Sequence, residues 1–316
     1  MSERIRRRFC EIVTEDRVLE QEPMARHTTF RIGGPADYFV ELGSVDEVKA
    51  AVRICQEEQL PWFVLGRGSN LLVSDAGYRG VILSIYKSFQ RVEIQGDLVT
   101  VQAGALLTAL SGKALEASLS GLEFASGIPG TVGGAVVMNA GAYGGEMKDI
   151  VRQVTVLDQE GTVRTLSGEE MQFGYRTSLA KKKGYIVLEA VLQLHPGCQE
   201  TIRETMQSLK AKRIEKQPLE YPSAGSTFKR PEGHFAGKLI MDAGLRGARV
   251  GDAQVSEKHC GFVVNTGHAT AADVRELMRQ VQEKVQEQFG VHLEPEVRFL
   301  GEFSNTLREG ESICVL

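Results

Sequence analysis

Phe124–Gly145 reads F-A-S-G-I-P-G-T-V-G-G-A-V-V-M-N-A-G-A-Y-G-G, and the rest of the chain is organised around it. Seven glycines stand in it, Gly127, Gly130, Gly133, Gly134, Gly141, Gly144 and Gly145, with no charged residue before Glu146. Glycine at that density costs backbone entropy on folding, so it is kept where the chain turns sharply or comes very close to another group. Ala125, Ser126, Thr131, Ala135, Ala140 and Ala142 fill the gaps with small side chains, which excludes bulk. An anionic cofactor lying along exposed backbone N–H groups accounts for both features. The competing reading is a tightly packed turn region without a ligand, which needs one or two glycines, not seven.

Upstream, the apolar strand Trp62–Leu65 runs into a second glycine turn, Gly66-Arg67-Gly68-Ser69-Asn70-Leu71. It is not a dinucleotide fingerprint, because Leu72-Val73-Ser74-Asp75-Ala76-Gly77 turns straight into another strand and no helix follows to face a pyrophosphate. A P-loop fails as well, since Gly112-Lys113 has Leu107 in place of the first glycine and Ala114 in place of Ser or Thr. Any phosphate here is held by turns.

The flanks read as mixed α and β structure. Phe30-Arg31-Ile32 and Tyr38–Leu42 are expected to be short strands around a Gly33-Gly34-Pro35 turn. Ser44 opens a helix, with Glu47 completing a capping box and Val45, Val48, Val52 and Cys55 as its apolar stripe. Val81–Ile85, Arg91–Ile94 and Leu98–Val101 read as strands, and Leu106–Leu119 as a helix ended by Gly121. Strands follow at Val151–Leu157, Val163–Leu166 and Tyr185–Leu194, and His195-Pro196-Gly197 is the natural domain boundary. Beyond it come a charged helix at Thr201–Gln217, a small-residue loop from Tyr221 to Pro231, and a long helix capped by Thr270 and stopped by Gly290. The fold class is α+β, with domains at 21–197, split near 80, and at 198–316, after an extension of residues 1–20 in which Arg4–Arg8 is a solvated face.

The 316 residues suit about two domains. A net charge of −4 gives no reason to expect nucleic acid or an anionic membrane as partner. No apolar run is long enough for a membrane span or a secretory signal. Cys10, Cys55, Cys198, Cys260 and Cys314 are far apart and odd in number, which points to a reducing cytoplasm and away from disulfides or a zinc ribbon. The six histidines form no His-x-x-x-His pair, so no metal is expected, and no obligatory protein partner is indicated.

Five strings carry a specific resemblance: G-R-G-S-N-L-L-V-S-D from Gly66, the glycine stretch from Gly127, F-G-Y-R-T-S from Phe173, S-A-G-S-T-F-K-R-P from Ser223 and E-P-E-V-R-F-L-G from Glu294. In that order, over His27–Gly301, the chain resembles the UDP-N-acetylenolpyruvoylglucosamine reductase family. The resemblance implies a two-part FAD-binding domain of the vanillyl-alcohol-oxidase type and a C-terminal substrate domain. It implies FAD held non-covalently, in keeping with a glycine stretch that offers neither His nor Cys as a tether, NADPH as hydride source, and a nucleotide-sugar substrate. On the positions that match, it implies catalytic roles for Arg176, Ser226 and Glu296 and substrate contacts from Tyr175, Arg213 and Lys229. It places the cofactor along Arg31, Gly66, Arg67, Gly68, Ser69, Asn70, Leu71, Ser126, Gly127, Ile128, Gly130, Thr131, Gly133, Gly134, Asn139, Gly141, Ala142 and Ile186.

The residue types suit that chemistry. Reducing an enolpyruvyl ether adds hydride to the terminal carbon and a proton to its neighbour. Hydride addition first spreads negative charge onto the carboxylate, which a fixed cation such as Arg176 stabilises where it develops. A proton donor must then reach the carbon. Ser226 is a weak acid and needs a charged or hydrogen-bonded neighbour for that role, with Glu296 acting on the same intermediate. Taken singly, each has a bland alternative: a surface ion pair, a turn serine, a solvent-facing glutamate. The chain departs from the longer form of the family in lacking a loop with a tyrosine that closes over the substrate, and it has Arg230 where Asn often precedes the proline. Rival readings stay open here: an oxidase of small alcohols on the same fold, a non-enzymatic nucleotide-binding module, and a serine hydrolase on Ser226. The last lacks the Gly-x-Ser-x-Gly elbow, with Ala224 and Phe228 in the glycine places.

Overall fold

The computed structural model describes residues 2–303; Cys314 and the tail from residue 304 lie outside the described residues. Two sheets form the N-terminal part. The first has the strand order Val18–Pro23, Pro35–Glu41, Tyr78–Ser84, Trp62–Leu65. Its outer pair is antiparallel and the other two are parallel. The helix Val45–Glu57 covers it with Val48, Ala51, Val52, Ile54 and Cys55, all buried. Ser44 caps this helix as the sequence suggests, its hydroxyl accepting from the Glu47 N–H at 3.1 Å. The Glu47 carboxylate reaches one residue further back, to the Gly43 N–H at 2.7 Å, and takes the Arg17 guanidinium.

The first twenty residues join this body. The helix Ser2–Cys10 buries Ile5 and Phe9 in the same core, and Arg8 pairs with Glu57 and Glu58. Arg4 pairs with Glu58 too, so the arginine run is an ion-paired face and not merely a solvated one. The strand Val18–Pro23 runs across residue 20.

The second sheet is wholly antiparallel, in the order Val163–Ser167, Val151–Leu157, Ile186–Gln193, Leu98–Gln102, Val92–Gln95. The change from one sheet to the other falls between Ser84 and Val92, because Tyr78–Ser84 is an inner strand of the first. The helix expected over Leu106–Leu119 covers Leu107–Glu116, and Ser118 then turns left-handed at φ +56°. Its neighbour Leu119 pairs with Pro196, so the expected domain boundary is itself stitched to the second sheet's side.

The C-terminal body is a three-stranded antiparallel sheet, Arg249–Val250, Ala253–Val255 and Val263–Asn265, packed against the helices Ala236–Asp242 and Ala271–Phe289. Thr270 and Asp273 form a full capping box on the long helix, as read from the sequence.

Contacts of several kinds join the bodies. The strand Arg298–Leu300 pairs in parallel with Leu71–Val73, directly after the first glycine turn. The Asp75 carboxylate accepts the N–H groups of Ala271 and Ala272, at 2.7 and 2.9 Å, capping a helix of the other body. Thr29 donates to the Ser223 carbonyl and Asn265 to that of Phe30. Phe30 and Ile32 are buried in the C-terminal core. They form no strand, because Arg31 between them adopts a left-handed backbone and its N–H turns back on Thr28.

Candidate active site

A cleft runs along the two glycine turns and opens between the bodies. Gly66, Arg67, Gly68, Ser69, Asn70 and Leu71 form one side, and Ile128, Gly130, Thr131, Gly133, Gly134, Gly141, Ala142 and Ile186 the other. Arg176, Arg213, Ser226 and Glu296 line the same space, drawn from four separate segments. Arg31 instead faces a neighbouring recess of about 690 Å³ that shares Arg67 and Arg213 with the cleft. Ser126, Gly127 and Asn139 are not in the cleft wall. Ser126 donates to the Glu123 carbonyl, while buried Asn139 bonds Glu146, the Gly174 carbonyl and the Lys148 N–H.

Arg176 sits on a tight bridge between Gly174 and Thr177. Its φ is +56°, a conformation a non-glycine residue adopts only when its surroundings impose it. Asn139 holds the Gly174 carbonyl at 3.1 Å, and Lys181 donates to the Arg176 carbonyl at 3.1 Å. The guanidinium packs 4.9 Å over the Tyr175 ring and pairs through Nε with the Glu296 carboxylate. Nothing in a run reading Ala180-Lys181-Lys182-Lys183-Gly184 sets Lys181 apart from the solvated lysines beside it, so its place in the cleft wall was not readable.

Glu296 is clamped at its main chain. Its N–H donates to the Thr227 carbonyl at 2.9 Å and its own carbonyl accepts from Asn70 Nδ2 at 3.2 Å. Burial pushes its carboxyl above the ordinary value, while Arg176, Lys229 and Lys181 pull the other way without cancelling the rise. The group therefore keeps its proton to higher pH than a free carboxyl. Ser226 is exposed at the edge of this arrangement, between Gly225 at φ +78° and the buried Thr227. Thr227 is pinned on both sides, its N–H to the Gly261 carbonyl and its hydroxyl accepting from the Val263 N–H at 2.9 Å. Ser226 is thus carried on a fixed support.

Arg213 is a half-buried guanidinium packed on Gly127, and no carboxylate among the described residues pairs with it. Burial lowers its pKa. A partly desolvated cation of this kind suits an anionic ligand. Lys229 pairs with Glu294, and the Tyr175 hydroxyl accepts the Arg230 N–H at 3.1 Å; neither Lys229 nor Tyr175 is part of the cleft wall.

The wall fits a flavin nucleotide on three counts. Arg67, Gly68, Ser69 and Asn70 donate their N–H groups to no acceptor among the described residues, a row of donors suited to a diphosphate. A Cβ added at Gly134 would meet only Thr131 Oγ1, at 3.6 Å, and one at Gly130 only Ser69 Oγ and Ile128 Cγ2, at 3.5 and 4.0 Å. Packing within the protein does not require glycine at either place, whereas a Cβ added at Gly133 would stand 2.8 Å from the Ala103 Cβ, and one at Gly141 2.8 Å from that of Glu146. Part of the glycine run is thus explained by packing, and Gly130 and Gly134 keep space open at the cleft. Third, the Gln217 Oε1 is buried in the wall without a partner among the described residues.

The model of the UDP-N-acetylenolpyruvoylglucosamine reductase C-terminal domain matches residues 217–300, and an FAD binding domain model matches residues 36–167. The chain is 55% identical over 311 residues to the UDP-N-acetylenolpyruvoylglucosamine reductase of Agathobacter rectalis, covering 93% of this chain and 99% of that protein. It is 54% identical to the one from Lachnoclostridium phytofermentans, covering 93% and 96%. The crystal structure of the Thermus caldophilus reductase superposes with a TM-score of 0.78 at 40% identity, over 89% of this chain and 98% of that one. With an FAD-binding domain, a matching C-terminal domain and relatives more than half identical over nearly their full length, the chain belongs to the UDP-N-acetylenolpyruvoylglucosamine reductase family.

Proposed function

We propose that the chain is an NADPH-dependent flavoenzyme of peptidoglycan precursor synthesis, reducing the enolpyruvyl ether of UDP-N-acetylglucosamine enolpyruvate to UDP-N-acetylmuramate in the cytoplasm. The observation that carries this reading is the convergence of Arg176, Ser226 and Glu296 on a cleft whose other wall is the glycine cradle. FAD held along Arg67–Asn70 and Gly130–Gly134 supplies hydride transfer when bound.

The chain's own residues supply the rest. Arg176 presents a fixed cation, already held by the Lys181 contact to its carbonyl, where the substrate carboxylate gains charge. Ser226 delivers the proton from the cleft edge. Glu296, whose carboxyl burial pushes above its ordinary value, acts on the same intermediate. Arg213 holds part of the diphosphate, with Lys229 and Tyr175 contributing from the rim. No helix among the described residues is long and apolar enough to cross a membrane.

The nicotinamide preference is tested by mixing the FAD-loaded protein anaerobically with NADPH or NADH. NADPH is expected to bleach the flavin at least about tenfold faster, a preference of about 1.4 kcal/mol. Equal rates, or bleaching by neither, contradict the proposal.

A further inference from the structure

We infer that Asn70 is a positioning residue whose side-chain amide locks the strand end carrying Glu296 to the first glycine turn, and so sets where the Glu296 carboxyl stands. The inference rests on the reductase reading above and extends it to a residue outside the catalytic set.

Asn70 makes two bonds to one segment of the other body. Its Nδ2 donates to the Glu296 carbonyl at 3.2 Å, and its own carbonyl accepts the Arg298 N–H at 3.1 Å. The parallel ladder of Leu71–Val73 with Arg298–Leu300 begins at the next residue, so it does not include Glu296. Among the described residues, the Asn70 amide is the bond that ties the Glu296 main chain to the FAD-binding domain. On its other side the Glu296 N–H is bonded to Thr227, next to Ser226. The peptide that carries the acid therefore stands between the serine support and the glycine turn, held once from each.

The chemistry of the contact needs asparagine. A carbonyl accepts only from a donor, and the NH₂ end of the amide is that donor. Alanine removes it. Aspartate keeps the size but turns an acceptor toward an acceptor, and places a negative charge near a carboxyl that Arg176, Lys229 and Lys181 otherwise face. Freed from the clamp, Glu296 loses its fixed relation to Arg176 and to the cleft, and a displacement on the order of 1 Å at a reacting group can cost about a hundredfold in rate.

The test separates this role from cofactor contact and from general stability. Asn70→Ala and Asn70→Asp are compared with the native chain in three measurements: FAD titration of the apoprotein, anaerobic bleaching by NADPH, and reoxidation by the enolpyruvyl nucleotide sugar across pH. Amide hydrogen exchange of the apoprotein at Glu296 and Arg298 is a fourth readout that needs no turnover. The expected result, read at saturating FAD, is reoxidation slowed about ten- to a hundredfold beyond any change in NADPH bleaching, and faster exchange at those two amides. In Asn70→Asp the loss of reoxidation at high pH moves to higher pH, since the added negative charge raises the Glu296 pKa. Reoxidation and exchange at native rates overturn the inference, and so does a loss confined to FAD affinity, which leaves Asn70 with its place along the cofactor and no positioning role. Should the native protein bleach with NADPH but never be reoxidised by the nucleotide sugar, the reductase reading fails and the inference falls with it, a result distinct from a defect seen only in the variants.

Discussion

At Arg176 the backbone itself is part of the site. Its left-handed φ of +56° is held by Lys181 on its own carbonyl and by Asn139 on Gly174, so the guanidinium meets Glu296 from a prepared position. Arg176→Gln removes the cation on which the developing charge rests and is expected to lower kcat by about 10²–10³. Removing the positive neighbour also raises the Glu296 pKa further. Where the protonated acid is the working form, activity that is lost as pH rises through that pKa then persists to higher pH, and a kcat–pH profile checks the direction. A fall in kcat with the limb unmoved, or moved to lower pH, contradicts the roles given to the pair. The meeting of Arg176, Ser226 and Glu296 in one cleft was legible in the sequence because each stands inside a string whose neighbours shape it, such as Gly225 before Ser226 and Pro295 before Glu296. Asn139 also stands in such a string, and its buried side chain bonds Glu146, the Gly174 carbonyl and the Lys148 N–H. A motif marks that a residue type is required without saying whether a ligand or the protein requires it.

The glycine stretch shows the same ambiguity at the scale of an element. Gly133 and Gly141 are fixed by neighbouring atoms of the protein, while Gly130 and Gly134 are not. That division was invisible in the sequence, since it depends on strands far along the chain, such as Leu98–Gln102 leading to Ala103. It leads to opposite expectations for two adjacent positions of one helix, Val132–Met138. Gly134→Ala is expected to stabilise the apoprotein by about 0.5–1 kcal/mol, the usual gain of alanine over glycine in a helix, while weakening FAD binding. Gly133→Ala forces its Cβ onto Ala103 and is expected to destabilise the fold by about 1–3 kcal/mol. Denaturant unfolding of the apoprotein beside FAD titration reads both, and FAD binding of native strength in Gly134→Ala would show that the cofactor lies elsewhere. The second turn was legible for what it is not: the absence of a helix after Gly66–Leu71 is borne out by the strands Leu71–Val73 and Tyr78–Ser84.

For the whole molecule, the periodic elements and the two-body α+β plan could be read, and the joints could not. Hydrophobic spacing reports which face of an element is buried, but not the partner that buries it. Hence Phe30 and Ile32, read as a strand of the first body, are core residues of the second, and Asp75 caps a helix nearly two hundred positions away. These joints position the site, for the cleft takes its glycine wall from one body and Ser226 and Glu296 from the other. In the proposed function this joined cleft runs a reduction of an enolpyruvyl ether through bound FAD. The most direct measurement is an absorption spectrum of the FAD-loaded protein followed anaerobically through one cycle, with NADPH added first and the enolpyruvyl nucleotide sugar second. The flavin band is expected to bleach with NADPH and to return when the nucleotide sugar is added in the absence of oxygen; a band that returns only on admission of oxygen would rule this reaction out.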